Sequence, residues 1–173
     1  MNDPVEVRLE TKRLYLRPFG SADVEDLFEY ANQIKVARAA GFSCCETLPQ
    51  AMLFGAMLQR AGSLMLELKE TQKVIGNIGL YQVAHKDKVC ELGYALNEDY
   101  WHKGYMSEAL GAVVTYAKAQ GLKRLEARVA RHNQASSKVL LKNGFLAGEK
   151  YHVDDWYVEN ENKDQQLFYL ELA

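Results

Sequence analysis

The segment from Asn97 to Leu110, NEDYWHKGYMSEAL, closes a polar loop on Gly104 and runs directly into an amphipathic helix. A helix leaves its first N–H groups without internal partners, and that end carries partial positive charge. A glycine at the junction lets the backbone approach a ligand closely, so the chemistry this segment suits is the binding of an anion such as a pyrophosphate. Ser107 and Glu108 fall in the first turn. A capped surface helix that binds nothing has the same pattern, because a single loop glycine before a helix is common.

A second junction follows one helix and one strand later, in NQASSKVLLKNGF from Asn133 to Phe145. Asn133 suits the N-cap, Ser136 and Ser137 lie on the first turn, and Lys142 stands in the last turn, where a cation meets the helix dipole. Gly144 is the expected left-handed stop. Helix capping explains each of these residues. A third group is Glu91, a carboxylate inside the apolar strand run VCELGYAL. A buried face would shift it toward the range of a useful base, whereas strand alternation equally places it on the wet face.

Elements to hold these groups can be read from a hydrophobic period that switches between two and about 3.6 residues. Arg13 to Arg17 alternates around Leu14 and Leu16, and Ser21 or Asp23 then caps a helix carrying Val24, Leu27, Phe28 and Ala31. Pro49 to Ala61 reads as helix, with Met52, Leu53, Ala56, Met57 and Arg60 at helical spacing. Leu64 to Leu68 and Val74 to Val83 read as strands joined at Glu70 to Lys73, and Val89 to Leu96 as the next strand. A long helix from about Tyr105 to Gln120 buries Ala109, Leu110, Val113, Val114 and Ala117 and stops at Gly121. Leu125, Ala127 and Val129 alternate in a strand, the Asn133 helix follows, and Phe145 to Val153 and Gln166 to Leu172 close the chain as strands around a polar turn at Glu159 to Gln166. There is no P-loop, and a dinucleotide fingerprint needs three glycines where this turn offers Gly104 alone.

The 173 residues suggest one domain, 1–173, long enough to bury about 70% of the unfolded chain's surface. A balance of 21 basic and 23 acidic residues argues against a dedicated nucleic-acid binder. Cys44 and Cys45 are adjacent and Cys90 stands alone, so no spacing for a zinc or iron site is seen and no metal is expected. Charged or polar residues interrupt every apolar stretch, so no membrane span and no secretory leader are expected, and the expected setting is a reducing cytoplasm.

With these motifs in place, nearly the whole chain resembles the Gcn5-related N-acetyltransferases, and within them the RimJ/RimL-type protein N-acetyltransferases. LETKRLYLRPFGSADVEDLF, from Leu9 to Phe28, is similar to the family's opening strand and first helix. GNIGLY at Gly76 to Tyr81 and ELGYAL at Glu91 to Leu96 are similar to its central hairpin. WHKGYMSEAL is similar to the acetyl-CoA loop, with Trp101 in place of the superfamily's Gln or Arg, as is usual in the branch. His102 stands where the branch has glycine, and Met106 where it has Ala or Gly. Leu140 holds the place of a tyrosine general acid common in the superfamily, while Ser136 matches the branch's serine.

The resemblance implies an α/β (α+β) fold, a mixed and mostly antiparallel central sheet flanked by helices on both faces. It implies acetyl-CoA as cosubstrate and a primary amine as acceptor, in this branch the N-terminal α-amine of a protein such as a ribosomal protein. Acetylation of a small amine (a polyamine, amino sugar or amino acid) is a second reading, and a non-catalytic acyl-CoA sensor a third. By the same resemblance the pyrophosphate rests on the amides of His102, Lys103, Gly104, Tyr105, Met106 and Ser107, with the Lys103 side chain adding charge. The pantetheine arm runs between two splayed strands, Cys90 to Leu96 and Leu125 to Val129, and the backbone of Ala95 and Leu96 meets the acetyl end. Asn133 contacts the cofactor while capping its helix, Ser136 is the general acid or sulfur partner, and Glu91 is the base, acting directly or through water. A monomer or homodimer with no nucleic-acid or membrane partner is expected.

Other groups carry weaker expectations. Cys90 reads as a buried structural thiol and His85 as a loop histidine, and His132 and His152 have no partner evident in the sequence. Tyr81, Tyr94, Tyr151, Trp156 and Tyr157 wall an acceptor pocket or simply pack, and Asp154, Asp155, Glu159 and Glu161 attract an amine or form a solvated turn.

Overall fold

The computed structural model describes residues 6–84 and 87–172, so His85 lies outside the described residues. Eight strands form one sheet: β1 (Leu9–Glu10), β2 (Leu14–Arg17), β3 (Leu64–Leu68), β4 (Val74–Ala84), β5 (Val89–Leu96), β6 (Arg124–Ala130), β7 (Leu146–His152) and β8 (Asp164–Glu171). Their order across the sheet is β1-β2-β3-β4-β5-β6-β8-β7. Every neighbouring pair is antiparallel except β5 and β6, which run parallel. Among the described residues the α-helices are α1 (Val24–Ala31), α2 (Ile34–Ala40), α3 (Leu48–Arg60), α4 (Tyr105–Ala119) and α5 (Gln134–Lys142).

The helices divide between the two faces, and each face has its own core. Ala109, Leu110, Val113 and Ala117 of α4 and Leu140 of α5 pack with Leu14, Leu16, Cys90, Leu92, Leu125 and Ala127. On the other face Leu27, Tyr30, Val36, Ala51 and Leu58 of α1 to α3 pack with Met65, Val74 and Ala95. The even-numbered β5 residues Cys90 and Leu92 therefore face α4, and the odd-numbered Ala95 faces α1 to α3, as the two-residue period of a strand requires.

Four expectations change. The stretch left unassigned between α1 and α3 contains α2, whose seven residues are too few to show a helical period and which ends on left-handed Gly41 (φ 80°). Asp23 makes no side-chain cap to α1; its carboxylate accepts from Gly20 N and is clasped by Arg17, with Nη1 to Oδ2 at 2.8 Å and Nη2 to Oδ1 at 2.9 Å. Helix α3 buries Ala51, Gly55 and Leu58 and leaves Met52, Leu53 and Met57 exposed. The reason is Gly55, since a Cβ there would collide with the ring of Phe19, so the small-residue face is the one that admits its neighbour. The last strand begins at Asp164, inside the expected turn, because Asp164 pairs with His152 of β7.

Candidate active site

The site begins where the parallel pair comes apart. Strands β5 and β6 are in register only at Val89 with Arg124, Cys90 with Leu125 and Glu91 with Glu126. Beyond Glu91, β5 continues to Leu96 against β4, and β6 continues to Ala130 against β8. Their inner edges over these lengths share no ladder and form a cleft with backbone donors and acceptors on both walls. An amide-bearing, extended ligand such as a pantetheine arm fits those walls by strand-like hydrogen bonding.

One end of the cleft is closed by the loop before α4. Asn97 is fully buried and its Oδ1 accepts from Asp99 N at 3.0 Å, which shapes a 3-10 turn over Glu98–Tyr100. Trp101 Nε1 donates to the Leu96 carbonyl at 2.7 Å and so ties the loop to the end of β5. His102 and Gly104 are both left-handed, at φ 61° and 81°, and flank Lys103. Residues in this conformation turn successive N–H groups toward one concavity. Among the described residues no side chain caps α4, and the helix bonding starts at Glu108 N to the Gly104 carbonyl, so the N–H groups of Tyr105, Met106 and Ser107 have no intrahelical partner. The donor set fits a pyrophosphate. Met106 is buried among the α4 core residues, so its large side chain lies away from the anion site. Ser107 Oγ accepts from Asn143 Nδ2 at 3.1 Å and links α4 to the end of α5.

The opposite wall carries the hydroxyls. Asn133 caps α5, its Oδ1 accepting from Ser136 N at 3.2 Å, which leaves its amide nitrogen for a ligand. Ser136 Oγ lies 2.5 Å from Tyr94 Oη, and Tyr94 Oη also donates to the Ser136 carbonyl at 3.3 Å. Burial pushes the Tyr94 hydroxyl up to about 12, against the opposing effect of its Ser136 hydrogen bond, so the phenol is a neutral donor at pH 7. Grouped in the sequence with the acceptor-pocket aromatics, Tyr94 instead stands with the α4 and α5 core, on the face of Cys90 and Leu92. Strand parity from Leu92 was the signal that could have placed it there.

Glu91 lies on the other face, about a third exposed, with Oε2 3.3 Å from Arg128 Nη1. Arg128 also reaches Glu126 at 3.7 Å. The structure thus brings Ser136 and Tyr94 together and sets Glu91 apart, on the α1 to α3 side of the sheet. Cys90 is buried and burial pushes its thiol up, which suits an inert structural role.

The aromatic set does not form one wall. Tyr81 lies against Gly79 and Gly93, where an added Cβ would approach its hydroxyl to 2.9 Å and its ring to 3.0 Å, while Trp156 and Tyr157 are exposed and stacked edge to face. The acidic run is largely engaged. Glu159 and Glu161 reach Arg38 Nε at 3.5 and 3.4 Å, and Tyr157 Oη donates to Asp155 at 3.1 Å. Both histidines have partners: His132 Nε2 meets Asn162 Oδ1 at 3.0 Å, and His152 sits between Asp164 at 2.8 Å and Asp154 at 3.1 Å, chiefly the Asp164 bond raising its pKa.

Residues 13–146 match the family model of the acetyltransferase (GNAT) domain. The chain is 35% identical over 144 residues to the uncharacterized N-acetyltransferase YoaA of Bacillus subtilis (strain 168), covering 79% of this chain and 81% of that one. It is 32% identical over 89 residues to the ribosomal-protein-serine acetyltransferase of Escherichia coli (strain K12), about half of each chain (51% and 50%). The fold matches the crystal structure of a GNAT-family acetyltransferase from Bacillus anthracis with a TM-score of 0.85 at 23% identity, covering 96% of this chain and 99% of that one.

Proposed function

This chain belongs to the GNAT acetyltransferases, in keeping with the RimJ/RimL-type branch, and we propose that it carries acetyl from acetyl-CoA to the N-terminal α-amine of a protein of the ribosomal kind. The observation that carries the reading is the Tyr94–Ser136 hydroxyl pair on the wall of a cleft whose end is the uncapped start of α4. The named activity of the Escherichia coli relative supports the acceptor class.

Acetyl-CoA supplies the thioester, with its carbonyl as electrophile and its sulfur as leaving group. The amides of His102 to Ser107, with Lys103, hold the pyrophosphate, and the amide nitrogen of Asn133 adds a donor from the α5 side. Ala95 and Leu96, at the open end of β5, meet the acetyl group, with Leu96 steadied by Trp101. Tyr94 donates toward the sulfur as charge develops there, its oxygen accepting from Ser136 Oγ. Burial holds the Tyr94 phenol above its ordinary range, so it keeps its proton and acts as a hydrogen-bond donor. The pair therefore stabilises the departing thiolate by hydrogen bonding, and the thiolate's proton is supplied from solvent. Glu91, about 13 Å along the strand from Ala95, lies beyond the reach of a single bridging water, so it would draw the amine's proton through a chain of several waters.

Release of CoA thiol is the test, measured with short peptides carrying free N-termini and, in parallel, with a polyamine. Turnover with a peptide α-amine at a kcat/KM about tenfold or more above the polyamine is expected. Turnover with the polyamine alone would transfer the enzyme to small amines, and CoA binding with no turnover on any amine would make it a sensor. On the productive acceptor, Glu91→Gln should lower kcat/KM by roughly 10²-fold. An unchanged kcat/KM would return Glu91 to a strand ion pair.

A further inference from the structure

Glu108 places a carboxylate in the first turn of α4, where the proposed ligand brings negative charge. Like charges at one helix end repel, so this residue works against the ligand unless it does something else. Its side chain is 21% exposed and fully occupied. Oε2 accepts from Thr11 Oγ1 at 2.7 Å and from Arg13 N at 3.1 Å, and Oε1 accepts from Arg13 Nε at 3.1 Å. Arg13 in turn spans the loop: Nη1 donates to the Lys103 carbonyl at 3.1 Å, Nη2 lies 3.5 Å from where a Cβ on Gly104 would be, and the guanidinium is 4.0 Å from the Tyr105 ring centre. One arginine from the turn between β1 and β2 thus touches three consecutive residues across the junction of loop and helix, anchored at two points by a carboxylate of that helix.

We propose that Arg13 and Glu108 are positioning residues for the cofactor loop, Glu108 fixing Arg13 and Arg13 fixing the Lys103–Gly104 peptide. In a trans peptide the C=O and the following N–H point in opposite directions. Pinning the Lys103 carbonyl to Arg13 therefore turns the Gly104 N–H away from Arg13, toward the concavity that His102 and Gly104 line. The single planar fork of an arginine holds this orientation where a point charge would not. The proposal rests on the acetyl-CoA reading of this loop.

The test uses CoA binding by calorimetry, independent of turnover, together with kinetics on acetyl-CoA and on S-acetylpantetheine, which lacks the pyrophosphate. Arg13→Met should weaken CoA about tenfold or more and raise the KM for acetyl-CoA, with kcat at saturation within about twofold. With S-acetylpantetheine its kcat/KM should equal that of the unsubstituted protein. Glu108→Gln gives the sign: it removes a negative charge beside a pyrophosphate, yet should weaken CoA by about three- to tenfold because Arg13 loses its anchor. Tighter CoA binding by Glu108→Gln would overturn the proposal, as would a loss of equal size on S-acetylpantetheine, which marks a general packing defect. Failure of the unsubstituted protein to bind CoA would instead remove the acetyl-CoA reading itself, and this proposal with it.

Discussion

The two helix N-termini beside the cleft are finished in opposite ways. Helix α5 caps itself, with Asn133 Oδ1 on Ser136 N, and presents side-chain hydroxyls from its first turn. Helix α4 has no side-chain cap, starts on left-handed Gly104 and leaves its first-turn donors without intrahelical partners. A self-capped end has little left for an anion, whereas an uncapped one is an anion site. On the proposed function the contrast divides binding at α4 from chemistry at α5, with Tyr94 reaching α5 from β5.

The largest expected effect breaks the α4 half. Gly104→Glu puts a side chain and a negative charge at a φ of 81°, and should weaken CoA by roughly 10²-fold while leaving kcat at saturation little changed. Unchanged affinity, measured by calorimetry on a folded variant, would contradict the loop's role. The α5 half is broken more gently: Ser136→Ala should lower kcat about tenfold with CoA affinity within about twofold, because Tyr94 still reaches the sulfur. Loss of affinity and rate together would make Ser136 a cofactor ligand. Asn133 sharpens the comparison at the smallest scale. Asn133→Ala should cost about 1 kcal/mol of stability by denaturant titration, and Asn133→Ser should restore it. A few-fold loss of CoA affinity common to both would identify the amide nitrogen as a cofactor contact; affinity that recovers with stability would leave Asn133 as a cap alone.

What was legible in the chain follows the range of the forces involved. The bounds of β5, the start of α4 and the stops at Gly121 and Gly144 are local properties, set by alternation and by glycine's tolerance of φ near 80°, and the structure has them there. The splay of β5 from β6 came only through the resemblance, since no period encodes where a parallel pair separates. Helix α2 is too short for periodicity to announce, and the buried face of α3 depends on Phe19 fitting against Gly55, which no hydrophobicity pattern favours. The clasp of Arg13 and Glu108 joins residues 95 positions apart, His132 is met by Asn162 from the β7–β8 turn, and His152 by Asp164 from across it. Tyr94 is the instructive omission. Its parity with Cys90 and Leu92 was readable, but its hydroxyl acquires meaning only once α5 folds back to set Ser136 Oγ 2.5 Å away.

The division of labour between the two helix ends is tested most directly by measuring kcat and CoA dissociation constant together for Tyr94→Phe, with Gly104→Glu alongside. Phenylalanine keeps the ring in the core and removes only the hydroxyl. A crossed result is expected: Tyr94→Phe loses roughly 10²-fold in kcat and keeps its CoA affinity, while Gly104→Glu loses affinity and keeps kcat. Full turnover in Tyr94→Phe, or parallel losses of both quantities in both variants, would contradict it.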